Sequence, residues 1–192
     1  MKVNRCTWPA EDELMIKYHD NEWGSPLHDD KKLFEFLILD AFQAGLSWRT
    51  ILHKRKNFAK AFDDFDYKKM AKYDRRKLNA LMKDTGIIRN KLKIESAKVN
   101  AEKFIEVQKE FGSFDKYIWQ FVKGKPVQNK RKSDEVLPAK TKESEAMSKD
   151  LKKRGFKFVG PTICYAFMQA SGMVNDHSVK CFRHKQLQKS VK

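Results

Sequence analysis

Cysteine is scarce in this chain, and acidic residues are outnumbered. The three cysteines among 192 residues, an odd number, argue for a reducing cytoplasm. No apolar run is long enough to span a membrane, so a membrane partner is not expected. The opening Met1-Lys2-Val3-Asn4-Arg5 has no apolar stretch like that of a signal peptide, which agrees with a cytoplasmic location. Strand-like alternation and internal repeats are both missing. A disordered chain is also excluded, because 41% of the residues are hydrophobic and can bury a proper core. What is abundant is positive charge. Forty-one Lys and Arg face 25 Asp and Glu, for a net charge of +16. That balance favours a polyanion, with nucleic acid the first candidate.

The pattern predicts an all-α domain. Short helices are expected over 13–18 and 74–84, with longer ones over 30–44 after an Asp cap and 47–60 after Ser47. The stretch 90–111 is long and amphipathic, with apolar residues mostly at helical spacing. Further helices are expected over 115–122, 142–154, 161–171 and 176–183. Residues 124–139, with two prolines and a Lys/Arg run, read as a loop.

Two residue pairs at opposite ends could share one metal. Cys6 and His19 lie near the start; His177 and Cys181 lie near the end. The latter pair is spaced by four, which places both on one helical face. Two thiolates and two imidazoles suit tetrahedral zinc in a closed, structural site that would staple the termini together. The Cys6–His19 spacing matches no standard finger, and His28, His53 and His184 are competing donors, so spacing alone leaves the set open.

A second feature is the break Gly155-Phe156-Lys157-Phe158-Val159-Gly160, followed by Pro161. Proline fits the first position of a helix, and a tight turn feeding a helix N-terminus presents backbone N–H groups to a phosphate. Lys152, Lys153, Arg154 and Lys157 add charge. The pattern is that of a helix-hairpin-helix gripping one DNA backbone, although a plain helix–helix turn has a similar look. The third feature is Asp40. Its helix, Phe36-Leu37-Ile38-Leu39-Asp40-Ala41-Phe42, is apolar around nearly every face. A buried carboxylate there is costly unless it is paired, hydrogen-bonded or facing a polar ligand. Trp8, Tyr18, Trp23 and Trp48 cluster nearby in sequence. Flat rings beside a buried acid make a slot for a nucleobase, above all a cationic one.

Five strings, taken together, resemble the DNA-3-methyladenine glycosylase I family, the constitutive bacterial type within the helix-hairpin-helix glycosylase superfamily. They are Tyr18-His19-Asp20-Asn21-Glu22-Trp23-Gly24, Gln43-Ala44-Gly45-Leu46-Ser47-Trp48, Gly86-Ile87-Ile88-Arg89, the segment Lys153 to Gly160, and Val174-Asn175-Asp176-His177. The resemblance implies an all-α fold with structural zinc held near the termini by Cys6, His19, His177 and Cys181. It also implies hydrolysis of the N-glycosidic bond of 3-methyladenine in alkylated double-stranded DNA, leaving an abasic site. Tyr18 and Trp48 would flank the flipped base. Asp40 would be the catalytic-site acid that recognises it, one methylene shorter than the family's glutamate. Phe42 would stand in the base pocket at a position the family makes polar. Leu46 would wedge the duplex, and Gly155, Lys157, Val159 and Gly160 would hold its backbone. Asn175 takes the place of an essential Asp in related glycosylases, in keeping with a monofunctional enzyme using water. One domain over 1–183, a flexible Lys-rich tail over 184–192 and a monomer complete the expectations. A lesion-binding protein without catalysis is the alternative.

Overall fold

A computed structural model of the protein describes residues 3–133 and 137–189. The chain is mostly helical, as the spacing predicts. Helix α1 runs Glu13–Asn21, α2 Asp30–Gln43, α3 Trp48–Ala61, α4 Tyr67–Met70, α5 Arg75–Leu81 and α6 Lys91–Phe111. The second half adds α7 (Phe114–Trp119), α8 (Lys142–Lys153), α9 (Pro161–Ala170) and α10 (Phe182–Lys189). No helix among the described residues is long and apolar enough to cross a membrane.

Caps written in the sequence set several helix starts. The side chains of Asp12, Asp29, Ser47, Asp74, Asn90, Ser113 and Thr141 each accept a backbone N–H from the first turn of the helix they precede, each contact being worth about 1 kcal/mol. Helix α2 is the centre of the molecule. It packs against α3, α6, α7 and α9, and every residue from Leu33 to Phe42 is buried. Such all-round burial is the reason its sequence shows no polar face. Each large apolar side chain there contributes about 1.5–3 kcal/mol.

Three sequence expectations change. Residues 124–139 are not simply a loop: Val127–Gln128 (β1) pairs in parallel with Val174–Asn175 (β2). The same strap continues along the C-terminal segment, where the Val179 N–H donates to the Arg131 carbonyl and Arg131 Nε donates to Asp176 at 2.6 Å. A two-residue strand has too little pattern to be read from sequence. The last helix spans Phe182–Lys189, later than expected. The described part of the supposed flexible tail therefore belongs to a packed element, with His184 and Leu187 buried. Residues 190–192 of that tail, and 134–136 of the strap, lie outside the described residues.

Candidate active site

Four buried donors converge where the two ends of the fold meet. The ligand atoms of Cys6, His19, His177 and Cys181 all lie within 4.8 Å of one another. His19 Nε2 and His177 Nδ1 are 3.2 Å apart. Cys181 Sγ is 3.5 Å from each of these nitrogens, and Cys6 Sγ is 3.7 Å from His177 Nδ1. A tetrahedron with N and S donors about 2.05 and 2.3 Å from its centre has N–N edges of about 3.3 Å and N–S edges of about 3.6 Å. The observed edges match that figure, so this group could hold a metal. The outer ring nitrogens are also held. His19 Nδ1 lies 2.8 Å from Asp20, which Arg5 grips in turn, and His177 Nε2 lies 3.0 Å from the Trp23 carbonyl. Orientation of ligand histidines by carboxylate and carbonyl is a recurring feature of metal sites. Contact with Cys6, then His177 and His19, pushes the Cys181 thiol well down, the direction a metal thiolate requires. The competing histidines are engaged elsewhere: His28 with Asp115, His53 with Asp12 and His184 with the Asn129 carbonyl.

Beside this knot lies a cavity of about 150 Å³ whose lining includes Trp8, Tyr18, Trp23, Trp48 and Asp40. Its lining mixes flat rings with the polar groups of Asp40, Gln43 and Gln169, as suits a heteroaromatic ligand. Its walls are aromatic pairs: Tyr18 and Trp48 have centroids 5.1 Å apart, and Trp8 and Trp23 5.0 Å apart. Helix α1 carries Tyr18 and His19 on neighbouring positions, so one helix serves both the cavity and the metal knot. The cavity is built by α1, the end of α2 and the start of α3, with Ala166 and Gln169 of α9 closing it.

Asp40 is the chemical centre of the cavity. It is 1% exposed, and its Oδ2 has no hydrogen-bond partner. Burial pushes its pKa well above the ordinary carboxylate value. Glu35, on the same helix, provides the contrast. It too is buried, but Arg55 donates to it at 2.7 Å and Lys32 at 2.8 Å; these contacts outweigh burial and leave its pKa lowered. One helix thus carries two buried acids, one neutralised by protein cations and one left for something else. The Tyr18 hydroxyl is likewise driven well up, first by burial and then by the Asp40 charge.

Other expected residues divide. Phe42 does not line the cavity. It is 1% exposed and packs edge-on against Phe58 and Phe62 at 4.8 and 5.6 Å, because it faces α3 rather than α9. Gln43, one turn beyond Asp40, lines the cavity instead. The i, i+3 relation to Asp40 was the signal that could have found it. Leu46 is 41% exposed on the turn between α2 and α3, where Gly45 takes φ +76 with open space around it. Asn175 is fully buried and donates to Gln128 and to the His184 carbonyl, away from the cavity.

The 155–160 segment is a tight turn between α8 and α9. Gly155 sits at φ +91, and Lys157 is exposed at the turn. Val159 offers little beyond its N–H: its side chain is buried, and its carbonyl accepts from Ser148 at 2.6 Å. Gly160 precedes Pro161, and no side chain caps the first turn of α9. The N–H groups of Thr162 and Ile163 come before the first intrahelical bond and have no helical partner. Arg154, expected to add free charge here, is instead held by Glu110 and Asp150.

Residues 8–184 match the family model described as methyladenine glycosylase. The chain belongs to the methyladenine glycosylase family. It is 46% identical to DNA-3-methyladenine glycosylase 1 of Escherichia coli (strain K12), over 93% of this chain and 96% of that protein. A crystal structure of a 3-methyladenine DNA glycosylase I superposes with a TM-score of 0.91 at 46% identity, covering 93% of this chain and 98% of the other. A tyrosine-to-phenylalanine variant of a 3-methyladenine DNA glycosylase I, solved in complex with 3-methyladenine, gives 0.90 at 34% identity over 94% and 97% of the two chains. These methyladenine glycosylase relatives match along almost their whole length, and the cavity residues together with His19, His177 and Cys181 lie inside the matched residues 8–184.

Proposed function

We propose that this protein is a monofunctional hydrolase that releases 3-methyladenine from alkylated double-stranded DNA. The observation that carries the reading is Asp40, a buried acid with an unpartnered oxygen in an aromatic-walled cavity. Such an arrangement is costly in the free protein and is relieved by a flat cation. A base methylated at N3 is one. Tyr18 and Trp48 supply ring faces, and the Asp40 carboxylate supplies the opposite charge.

The leaving group needs little help. The C1′–N9 bond breaks with its electron pair going to the base, which departs as a neutral molecule. Water adds to the oxocarbenium-like sugar, its proton passes to solvent, and an abasic site remains. Selection therefore rests on the pocket rather than on a strong general acid. Asp40 is shorter than the glutamate that the family resemblance implies, so a bridging water to the base edge is expected.

Leu46 is the proposed wedge that opens the stack. The hairpin of Gly155, Lys157, Val159 and Gly160 is the proposed backbone grip in a helix-hairpin-helix mode, through N–H groups and the Lys157 charge. The Cys6, His19, His177 and Cys181 set fits zinc, which when bound supplies a structural cross-link between the chain ends. The chain acts as one domain that includes α10, working as a monomer in the cytoplasm. The experiment is incubation with DNA methylated by an alkylating agent, followed by chromatography of the released bases. Free 3-methyladenine supports the reading. A folded protein that binds the lesion without releasing it would make this a damage-binding protein instead.

A further inference from the structure

Helix α6 reaches both the turn that bears Leu46 and the 155–160 hairpin. Lys93, in its first turn, is only 5% exposed. Its ammonium donates to the Phe42 carbonyl at 2.7 Å and to the Ala44 carbonyl at 2.5 Å. Carbonyls at the end of a helix have no intrahelical partner, and a cation there also complements the helix dipole. Lys93 makes no ion pair among the described residues, so these carbonyls are its chief compensation for burial, which pushes its pKa down.

Two turns later, about 10 Å along the axis, Asn100 clamps the hairpin. It accepts from the Lys157 N–H at 2.8 Å and donates to the Lys157 carbonyl at 3.1 Å. Between the two clamps, Lys93 Nζ lies 6.0 Å from the ring centroid of Phe158. Phe158 has φ +55, a conformation that a bulky residue keeps only when its surroundings impose it.

We infer that Lys93 and Asn100 are positioning residues: α6 holds the Leu46 turn and the backbone-gripping hairpin at one fixed spacing, so that wedge and grip engage the same duplex together. The inference rests on the glycosylase reading and adds the device that couples its two DNA contacts. Neither residue lines the cavity. Their contribution is confined to opening a paired, stacked nucleotide, a cost that is smallest in single-stranded DNA.

Lys93→Met keeps the length and apolar stem but removes the donors. The assay is single-turnover release of 3-methyladenine from the same methylated strand, once annealed and once single-stranded, with free 3-methyladenine affinity read from tryptophan fluorescence. The duplex rate should fall on the order of 10- to 100-fold, the scale of an ångström-level misplacement, while the single-strand rate and base affinity stay unchanged. Asn100→Ala should give the same selective loss, and it decides the matter should Lys93→Met fail to fold. An equal loss on both substrates, or none on either, overturns the inference. No release by the unmodified protein from either strand overturns the glycosylase reading and the inference with it, a result distinct from any change in ratio.

Discussion

Replacing Asp40 with Asn should make the protein more stable and less active, with the stability gain growing as pH rises. Asp40 is buried with an unpartnered oxygen, and its pKa stands well above the ordinary 3.8. Below that ordinary value the group is neutral in both folded and unfolded chains and contributes no penalty. As pH rises, the unfolded chain ionises first. Folding is then opposed by about 1.4 kcal/mol per pH unit until the raised folded pKa is reached. Asn carries no such penalty, so the variant should gain on the parent by that slope across the window between the two values. Urea denaturation of both proteins at a series of pH values measures the gap, and metal effects common to both cancel in the difference.

Activity should move the opposite way. A carboxylate about 4 Å from a cationic base at an effective dielectric of about 20 contributes roughly 4 kcal/mol. Asn retains a neutral hydrogen bond worth about 1 kcal/mol. The net loss of about 3 kcal/mol corresponds to a fall on the order of 100-fold in kcat/KM. A gap that stays flat with pH, together with unchanged kcat/KM, would remove Asp40 from the pocket and refute the reasoning.

Cys181→Ser should reduce bound zinc, measured by atomic absorption, and lower the melting temperature; full zinc content with unchanged melting would sink the staple. Asp20→Asn, which loosens the His19 ring, should weaken zinc affinity by about 10–100-fold in a chelator competition. Phe42→Ala should cost about 3–5 kcal/mol of stability, as a core truncation does, with the spectrum of released bases unchanged. Nonspecific DNA affinity should fall steeply as salt rises, because phosphate contacts release counterions; a flat titration would mean that the +16 charge is not aimed at DNA.

How far the sequence could be read depended on whether each signal was local. Helix α2 was legible from its cap and its unbroken apolar run, and Asp40 stood out within that run as an acid with no local excuse. The 155–160 turn was legible from its glycines and Pro161, since backbone conformation is imposed over a few residues. Phe42 was misread because neighbouring positions on a fully buried helix look alike in sequence. Only the packing decides that Asp40 meets the cavity while Phe42 meets Phe58 and Phe62. Arg154 was misread because Glu110 lies 44 positions away.

The sequence by itself determined most of the helices, though not α4 or the place of α10, together with the basic charge, the buried acid and the four candidate donors, because propensity, capping and periodicity act between near neighbours. Only the tertiary structure decided which histidines meet Cys6 and Cys181, which face of α2 forms the cavity, and that Lys93 and Asn100 tie two distant loops to α6. Those facts are distances between residues separated by up to 171 positions, and packing of the whole chain, rather than any local preference, sets them.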